Sequence, residues 1–209
     1  MQSWGSESKF ILRTTNRDPT KSGVIGLCSS ALGWKRDADI SPLLSLRMGA
    51  RVINPGVLMK DYQTAEDVIF AKGSGKKTVV STRYFLSDAN FLIGLEGEDY
   101  VFLEKLHNAL HHPKQCIFLG RKSYVPSKPI YIPDGLRKNE DLESALINYP
   151  IQSLNKEKEK GTIELIIEVP ISEAHEIRLD QPSNDSFMTR KFYKRGIVKK
   201  TIQVKMVKK

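Results

Sequence analysis

Cysteine is scarce in this chain, with only Cys28 and Cys116 among 209 residues. Two thiols cannot build a disulfide framework. Both lie in apolar surroundings and read as reduced core thiols of a cytoplasmic protein, with a single bridge as the alternative. Long apolar runs are lacking too. No stretch of about eighteen apolar residues occurs, which excludes a membrane-spanning helix. No charged segment followed by an apolar one opens the chain, so export by a signal peptide is not expected. Histidine is rare, and three of the four stand at the end of one helical pattern, His107, His111 and His112. No acidic residue lies between the i, i+4 pair and no further His or Cys is suitably spaced. They are expected to favour the helix C-terminus rather than hold a metal. No metal or cofactor is expected.

Familiar catalytic patterns are also missing. The run GSGKKT at 73–78 fails as a phosphate-binding loop, because the upstream glycine position is Phe70 and Lys77 replaces the hydroxyl that would hold magnesium. Nothing local suggests a Ser-His-Asp arrangement, and Asp37 and Asp39 look like surface charge. Finally, acid is absent from residues 188–209, which hold nine of the 33 basic residues. The rest of the chain is balanced, so the whole +9 charge sits in that tail. A concentrated basic segment points to a polyanion such as nucleic acid.

What is present is patterned. In RDPTKSGVIGLCSSALG, residues 17–33, Val24, Leu27, Cys28, Ala31 and Leu32 mark one helical face. Pro19 fixes the entry, and Thr20 or Ser22 caps it. Arg17 and Lys21 stand beside the free N–H groups of the first turn, where an anion such as phosphate would bind. Leu46, Met48, Ala50 and Val52 then alternate with Arg47, Gly49 and Arg51, a half-buried strand with two arginines on its open face. A turn at Asn54-Pro55-Gly56 leads to a second strand, Val57 to Tyr62. Residues 71–84 hold Lys72, Lys76, Lys77 and Arg83 and read as a protruding hairpin with a Gly-Ser-Gly tip. Phe85-Leu86 and Phe91 to Leu95 supply further strand. A second helix is expected over 98–112, with Leu103, Leu106 and Leu110 on one stripe and Pro113 ending it. Cys116 to Leu119 reads as a short buried strand.

The order matches a βαββαβ pattern lacking the strand before the first helix. The expected fold is α+β, with a ferredoxin-like core over 1–125. Residues 126–209 add a loop-rich segment, a short helix near 139–147, a solvated KEKEK turn at 156–160, an alternating strand from Ile163 to Val169, and two short strands within 190–207.

Four clusters interleave cations with aromatic and small residues. They are Lys60-Asp61-Tyr62-Gln63-Thr64, Arg83-Tyr84-Phe85, Gly120-Arg121-Lys122-Ser123-Tyr124, and Arg190-Lys191-Phe192-Tyr193-Lys194-Arg195. Gly120 allows close backbone approach. Phosphate neutralisation combined with base stacking is how single-stranded RNA is held.

The same residues carry a resemblance. Met1-Gln2-Ser3-Trp4-Gly5 and Pro19-Thr20-Lys21-Ser22-Gly23 resemble the opening of the Cas-five (CasD) family of type I-E CRISPR Cascade subunits, within the RAMP superfamily. Lys60-Asp61-Tyr62-Gln63-Thr64 resembles that family's RDYHT-like element. Ser81 to Ala89 resembles the strand after its thumb, and Leu119-Gly120-Arg121-Lys122-Ser123 its LGRRS-type signature. The resemblance implies a ferredoxin-like relative of RRM domains with a thumb hairpin, here about 63–82 and bearing Lys72, Lys76 and Lys77. It implies a non-catalytic subunit that caps the 5′ handle of the CRISPR RNA. A CasC backbone subunit would meet the thumb, and the large subunit CasA would dock nearby. The turn Lys21-Ser22-Gly23, Arg121-Lys122-Ser123 and Arg83 would hold the handle, and base pairing by the guide would supply sequence specificity. Arg17, Lys60, Tyr62, Gly120, Arg190 and Arg195 complete the expected RNA contacts.

Family members carry an apolar strand before the QSWG-like motif. This sequence starts at the motif, which is expected of a start misassigned at an internal Met or of a fragment; a chain that begins at Met1 would have an incomplete core with an unpaired strand edge. The enzymatic alternative is a metal-independent endoribonuclease of the type I-C kind, using Tyr62 and Lys60. It would need an imidazole partner, and Gln63 stands where many members have histidine. A basic module for another RNA is the third reading.

Overall fold

The computed structural model describes residues 1–5, 11–71, 73–150, 162–183, 187–188 and 191–203. It is an α+β fold with two sheets. The elements in order are β1 (Leu12–Arg13), α1 (Lys21–Leu32), α2 (Ser41–Leu44), β2 (Arg47–Asn54), β3 (Val57–Ile69), β4 (Lys76–Ser87), β5 (Asn90–Glu96), α3 (Tyr100–His111), α4 (Leu142–Asn148), β6 (Thr162–Val169), β7 (Glu176–Pro182) and β8 (Phe192–Gln203). A 3-10 turn, Ile171–Glu173, joins β6 to β7.

The larger sheet has the order β5-β2-β6-β8-β7. Pairing of β2 with β6 crosses the division expected at residue 125, so strands from both stretches share one sheet. On the outer side of β5 no strand lies among the described residues. Helices α1 and α3 pack on one face around Val24, Ile25, Cys28, Met48 and Leu106. Thr20 caps α1, its Oγ1 accepting from the Gly23 N–H at 3.3 Å, and Gly33 ends it in the left-handed region at φ 76°. Asp99 caps α3 by accepting from the Phe102 N–H at 3.0 Å.

The other face is where local sequence misleads. Arg47, Gly49 and Arg51 suggest an open side, yet α4 lies over it. Gly49 and Gly94 are register partners on β2 and β5. A Cβ on Gly49 would sit 2.7 Å from a Leu146 methyl, and one on Gly94 2.6 Å from a Leu142 methyl. The paired glycines therefore form a depression that seats α4, whose Leu142 and Leu146 join Leu92, Ile163, Leu165 and Ile167 in a second core. Arg51 is not a surface cation. Its Nη1 donates to the carbonyl oxygens of Leu146, Ile147 and Tyr149, each at 3.0 Å, and so caps the C-terminus of α4. Arg47 donates to Glu96 at 3.1 Å and to the Glu168 carbonyl at 2.9 Å.

The smaller sheet is β1-β4-β3, with β1 parallel to β4. The turn at Asn54-Pro55-Gly56 does not close a hairpin; it carries the chain from the larger sheet into the smaller one. The hairpin β3–β4 spans Val57 to Ser87 and exceeds the 63–82 expected for the thumb. Its neck is pinned by Asn54, whose Nδ2 donates to the Asp88 carbonyl at 2.8 Å and whose Oδ1 accepts from the Gly56 N–H at 3.2 Å. A one-residue register shift falls between Ala65 and Val68, where Asp67 takes φ 54°. This is a β-bulge.

Three further expectations are corrected. Cys116 to Leu119 is not a strand. Leu119 bonds irregularly, its N–H donating to the Tyr124 carbonyl and its carbonyl accepting from the Ser3 N–H, so no ladder forms along it. Cys116 is exposed rather than a core thiol. Cys28 is the core thiol, and burial pushes its pKa up to about 12. Finally, the tail forms one long strand, β8, paired with β6 on one side and the unforeseen β7 on the other. The KEKEK turn lies outside the described residues.

The role of Arg51 sets an expected outcome. Arg51→Ala leaves three carbonyls at the end of α4 without their shared donor and should cost about 1–3 kcal/mol. Urea unfolding should show a lower midpoint with an unchanged m-value.

Candidate nucleic-acid interface

The anion site expected at the start of α1 exists and is filled from within. The Lys21 N–H donates to Asp180 Oδ2 at 3.0 Å. Asp180 in turn accepts from Arg195, Nε to Oδ1 at 2.8 Å and Nη2 to Oδ2 at 2.6 Å. The Lys21 ammonium lies 2.7 Å from Glu168 Oε1, and Glu168 Oε2 accepts from the Met48 N–H at 3.0 Å. Lys21 and Arg195 are only 2% and 3% exposed, and Asp180 1%. They form an ion network joining α1 to β6, β7 and β8, with both cations enclosed and paired. Beside it, Asp18 and Arg178 pair through both oxygens, and Arg178 also donates to Glu176 at 2.7 Å. Burial alone would lower the Arg178 pKa, but Asp18 and Glu176 outweigh it and hold it above its ordinary value. Among the described residues no buried side-chain nitrogen or oxygen lacks a partner.

The basic tail is therefore partly engaged by the fold's own carboxylates, Arg195 in the interior and two lysines at the surface. Besides Arg195, Lys199 pairs with Glu176 at 2.8 Å and Lys200 with Glu143 at 2.7 Å. Arg190 and Lys72 lie outside the described residues. Of the other early candidates, Arg17 is exposed, and Ser22 is half-buried with its Oγ 3.5 Å from Thr20 Oγ1. Gly23 serves packing, since a Cβ there would sit 2.8 Å from the Trp4 ring.

A different set of candidates does converge, along the outer edge of β4. There Arg13 and Arg83 are register partners on β1 and β4. The Thr82 N–H donates to the Ile11 carbonyl at 2.9 Å, and Gln2 and Leu86 exchange both backbone bonds at 2.9 and 2.8 Å. Between these two contacts stands Arg121. Its Nη2 donates to the Tyr84 carbonyl at 3.1 Å and to the Arg13 carbonyl at 3.4 Å, and its Nη1 to the Tyr124 hydroxyl at 2.9 Å. Tyr124 packs on Phe85 with ring centroids 5.9 Å apart. Gly120, at φ 88°, lies so close to Ser3 that a Cβ would come within 1.7 Å of the Ser3 carbonyl oxygen. Its close approach is to the chain's own N-terminal motif. Lys122 and Ser123 beside it are exposed. Arg83 is half-buried, its Nε donating to Ser81 Oγ at 3.1 Å.

Strand alternation separates the remaining candidates. Lys60 is opposite Tyr84, and Tyr62 opposite Thr82, on one face of the hairpin. Asp61 is opposite Arg83 on the other. Lys60 and Tyr62 are exposed, Tyr62 by 70%, but they do not share a face with Arg83. At the hairpin tip, Lys77 lies over the Phe70 ring at 5.1 Å and Lys76 is 3.5 Å from Asp67. His111 stacks on Tyr131 with ring centroids 4.2 Å apart, and the tilted His107 ring lies 4.8 Å from the same tyrosine. Among the described residues no three His, Cys, Asp or Glu side chains form a group that could hold a metal, and no helix is long and apolar enough to cross a membrane. Sequence reasoning missed Arg13, because its parallel pairing with β4 leaves no local trace.

Burial holds the Lys21 ammonium below its ordinary pKa of 10.5, with Glu168 acting in the opposite direction. The unfolded chain then binds the extra proton between the lowered value and about 10.4. Relative to Lys21→Met, the native protein should therefore gain stability as pH rises through that range, read by urea midpoints at several pH values. Asp180→Ala strands Arg195 in the interior and should cost about 3–5 kcal/mol.

Comparison with known proteins places these features. Residues 1–203 match the family model described as CRISPR-associated protein (Cas_Cas5). A curated relative, the CRISPR system Cascade subunit CasD of Escherichia coli (strain K12), is 30% identical over 169 residues, covering 71% of this chain and 72% of that protein. A solved structure titled "Crystal structure of Cas protein" is 42% identical with a TM-score of 0.76, covering 97% of this chain and 90% of that one. Another, titled "CRISPR RNA-guided surveillance complex", is 26% identical with a TM-score of 0.80, covering 97% and 86%.

Proposed function

Since the chain belongs to the CRISPR-associated Cas5 family, we propose that it is a non-catalytic RNA-binding subunit of a Cascade-type surveillance complex, holding the 5′ handle of the CRISPR RNA. The observation that carries this reading is the convergence of Arg13, Arg83 and Arg121 on the outer edge of β4, with Lys122 and Ser123 exposed beside them. Arginines brought to adjoining backbone positions, with aromatic rings nearby, suit a bent single strand, through phosphate contacts and stacking. Arg13, Arg83 and Lys122 are the phosphate contacts in this reading, with Arg17 and Ser123 at its margin. Lys21 and Arg195 drop out because their charges are neutralised in the interior.

The hairpin is the thumb. A long two-stranded ribbon exposing Val57, Met59, Tyr62 and Ile69 is marginal alone in water and gains by being covered. In this reading a CasC-like backbone subunit covers it, Lys76 and Lys77 lie at its far end, and a CasA-like large subunit docks nearby. Specificity for target nucleic acid resides in the guide, while the protein reads backbone and shape.

The test uses the cognate repeat RNA in EDTA, by filter binding and on a denaturing gel. Binding of the free handle without cleavage is the expected result. Site-specific cutting in EDTA would overturn it in favour of an endoribonuclease acting through Tyr62 and Lys60. Arg83→Ala and Lys122→Ala should each reduce the salt slope of binding by about 0.7, the value for one phosphate contact on a single strand.

A further inference from the structure

The outer edge of β4 is completed by three unlike groups in succession. First comes the Ile11 carbonyl, then the Arg121 guanidinium, then the backbone of Gln2. The parallel β1 and the antiparallel N-terminal motif hand over at Tyr84. Among the described residues the donors to the Tyr84 carbonyl on that side are side chains, Arg121 Nη2 at 3.1 Å and Ser3 Oγ at 3.4 Å. The same guanidinium reaches the Arg13 carbonyl and the Tyr124 hydroxyl, and it lies over the Tyr124 ring, 5.4 Å from its centroid. Its plane is thus fixed on the phenol and by acceptors from three segments. Two of those acceptors adjoin the neighbouring cations directly: one is the carbonyl of Arg13 itself, the other that of the residue after Arg83.

We infer that Arg121 is a positioning residue, whose guanidinium serves as a surrogate rung of the β4 ladder and sets the spacing of Arg13 and Arg83 for an RNA backbone. This rests on the RNA-binding reading above and changes the part expected of Arg121, from phosphate ligand to organiser of the ligands. The planar fork is the essential property. A lysine keeps the charge but presents one ammonium, which cannot serve the Tyr84, Arg13 and Tyr124 oxygens together in that plane. Tyr124 acts through Arg121 and needs only its hydroxyl for the purpose.

Two variants that preserve charge test the inference on the full chain with repeat RNA. Arg121→Lys should weaken binding about tenfold, the order expected for lost charged hydrogen bonds, at every salt concentration and with an unchanged salt slope. Tyr124→Phe should weaken it in the same direction by less, again with the slope unchanged. A double variant should lose little beyond Arg121→Lys, since both act on one contact. Without RNA, hydrogen exchange at the Thr82 amide, which donates to Ile11, should accelerate in Arg121→Lys. Native affinity in both variants with unaltered Thr82 exchange would overturn the inference. So would a slope reduced by about 0.7 in Arg121→Ala together with native binding by Arg121→Lys, the signature of a direct phosphate ligand. If the native protein itself fails to bind repeat RNA, the functional reading falls, while Thr82 exchange still decides whether Arg121 sets the β4 edge.

Discussion

Two carboxylates, the buried Asp180 and the partly buried Glu168, organise the fold around α1. Each holds a cation and a backbone N–H at once: Asp180 takes Arg195 and the Lys21 N–H, and Glu168 takes Lys21 and the Met48 N–H. Two cations and two anions are thereby removed from solvent without an unpaired charge. That arrangement is worth little if replaced wholesale by apolar groups, but removal of one member is costly. Its geometric effect is larger than its net energy. It fixes the N-terminus of α1 against β6, β7 and β8, and so fixes the turn at 17–20 and the position of Trp4 against Gly23. The N-terminal motif and the β4 edge are placed relative to the larger sheet through that junction.

The chain's positive charge is divided accordingly. Cations of the tail pair with Asp180 and Glu176 on β7 and with Glu143 on α4, and Arg51 ends a helix. What faces outward at the candidate site comes from β1, β4 and the loop after Leu119. A net charge read from composition foretells a polyanionic partner but not which cations meet it.

Legibility in the sequence follows the range of the interactions involved. Helices α1 and α3 were readable because their stripes and caps, Thr20 and Asp99, are local. Strands β2 and β6 were readable from alternation. The face of β2 was misread, because Gly49 looks like an exposed position until Gly94 is set beside it and α4 above both. Arg51 shows the same limit, since its acceptors lie about a hundred residues away in the chain. The strand expected at 116–119 satisfied the apolar pattern but had no ladder to join. At the candidate site, motif order put Arg83 and the 120–123 turn on the list, and the fold brings both to the outer edge of β4. It also put Lys21 and Arg195 on the list, because sequence records that a cation is present and not whether a carboxylate 147 or 15 residues away neutralises it.

The bulge at Asp67 has a consequence for how the hairpin can diversify. Base and tip obey different parity rules: Ala65 is opposite Val79, whereas Val68 is opposite Lys77, one step out of phase. A single insertion or deletion there would swap which side of the tip presents Ile69 and which presents Val68, while every pair from Val57 to Ala65 kept its place. The ribbon thus has a clutch between a conservative shaft and a re-aimable end. A lineage could re-aim the tip by one codon, with no substitution in the part that anchors the arginines.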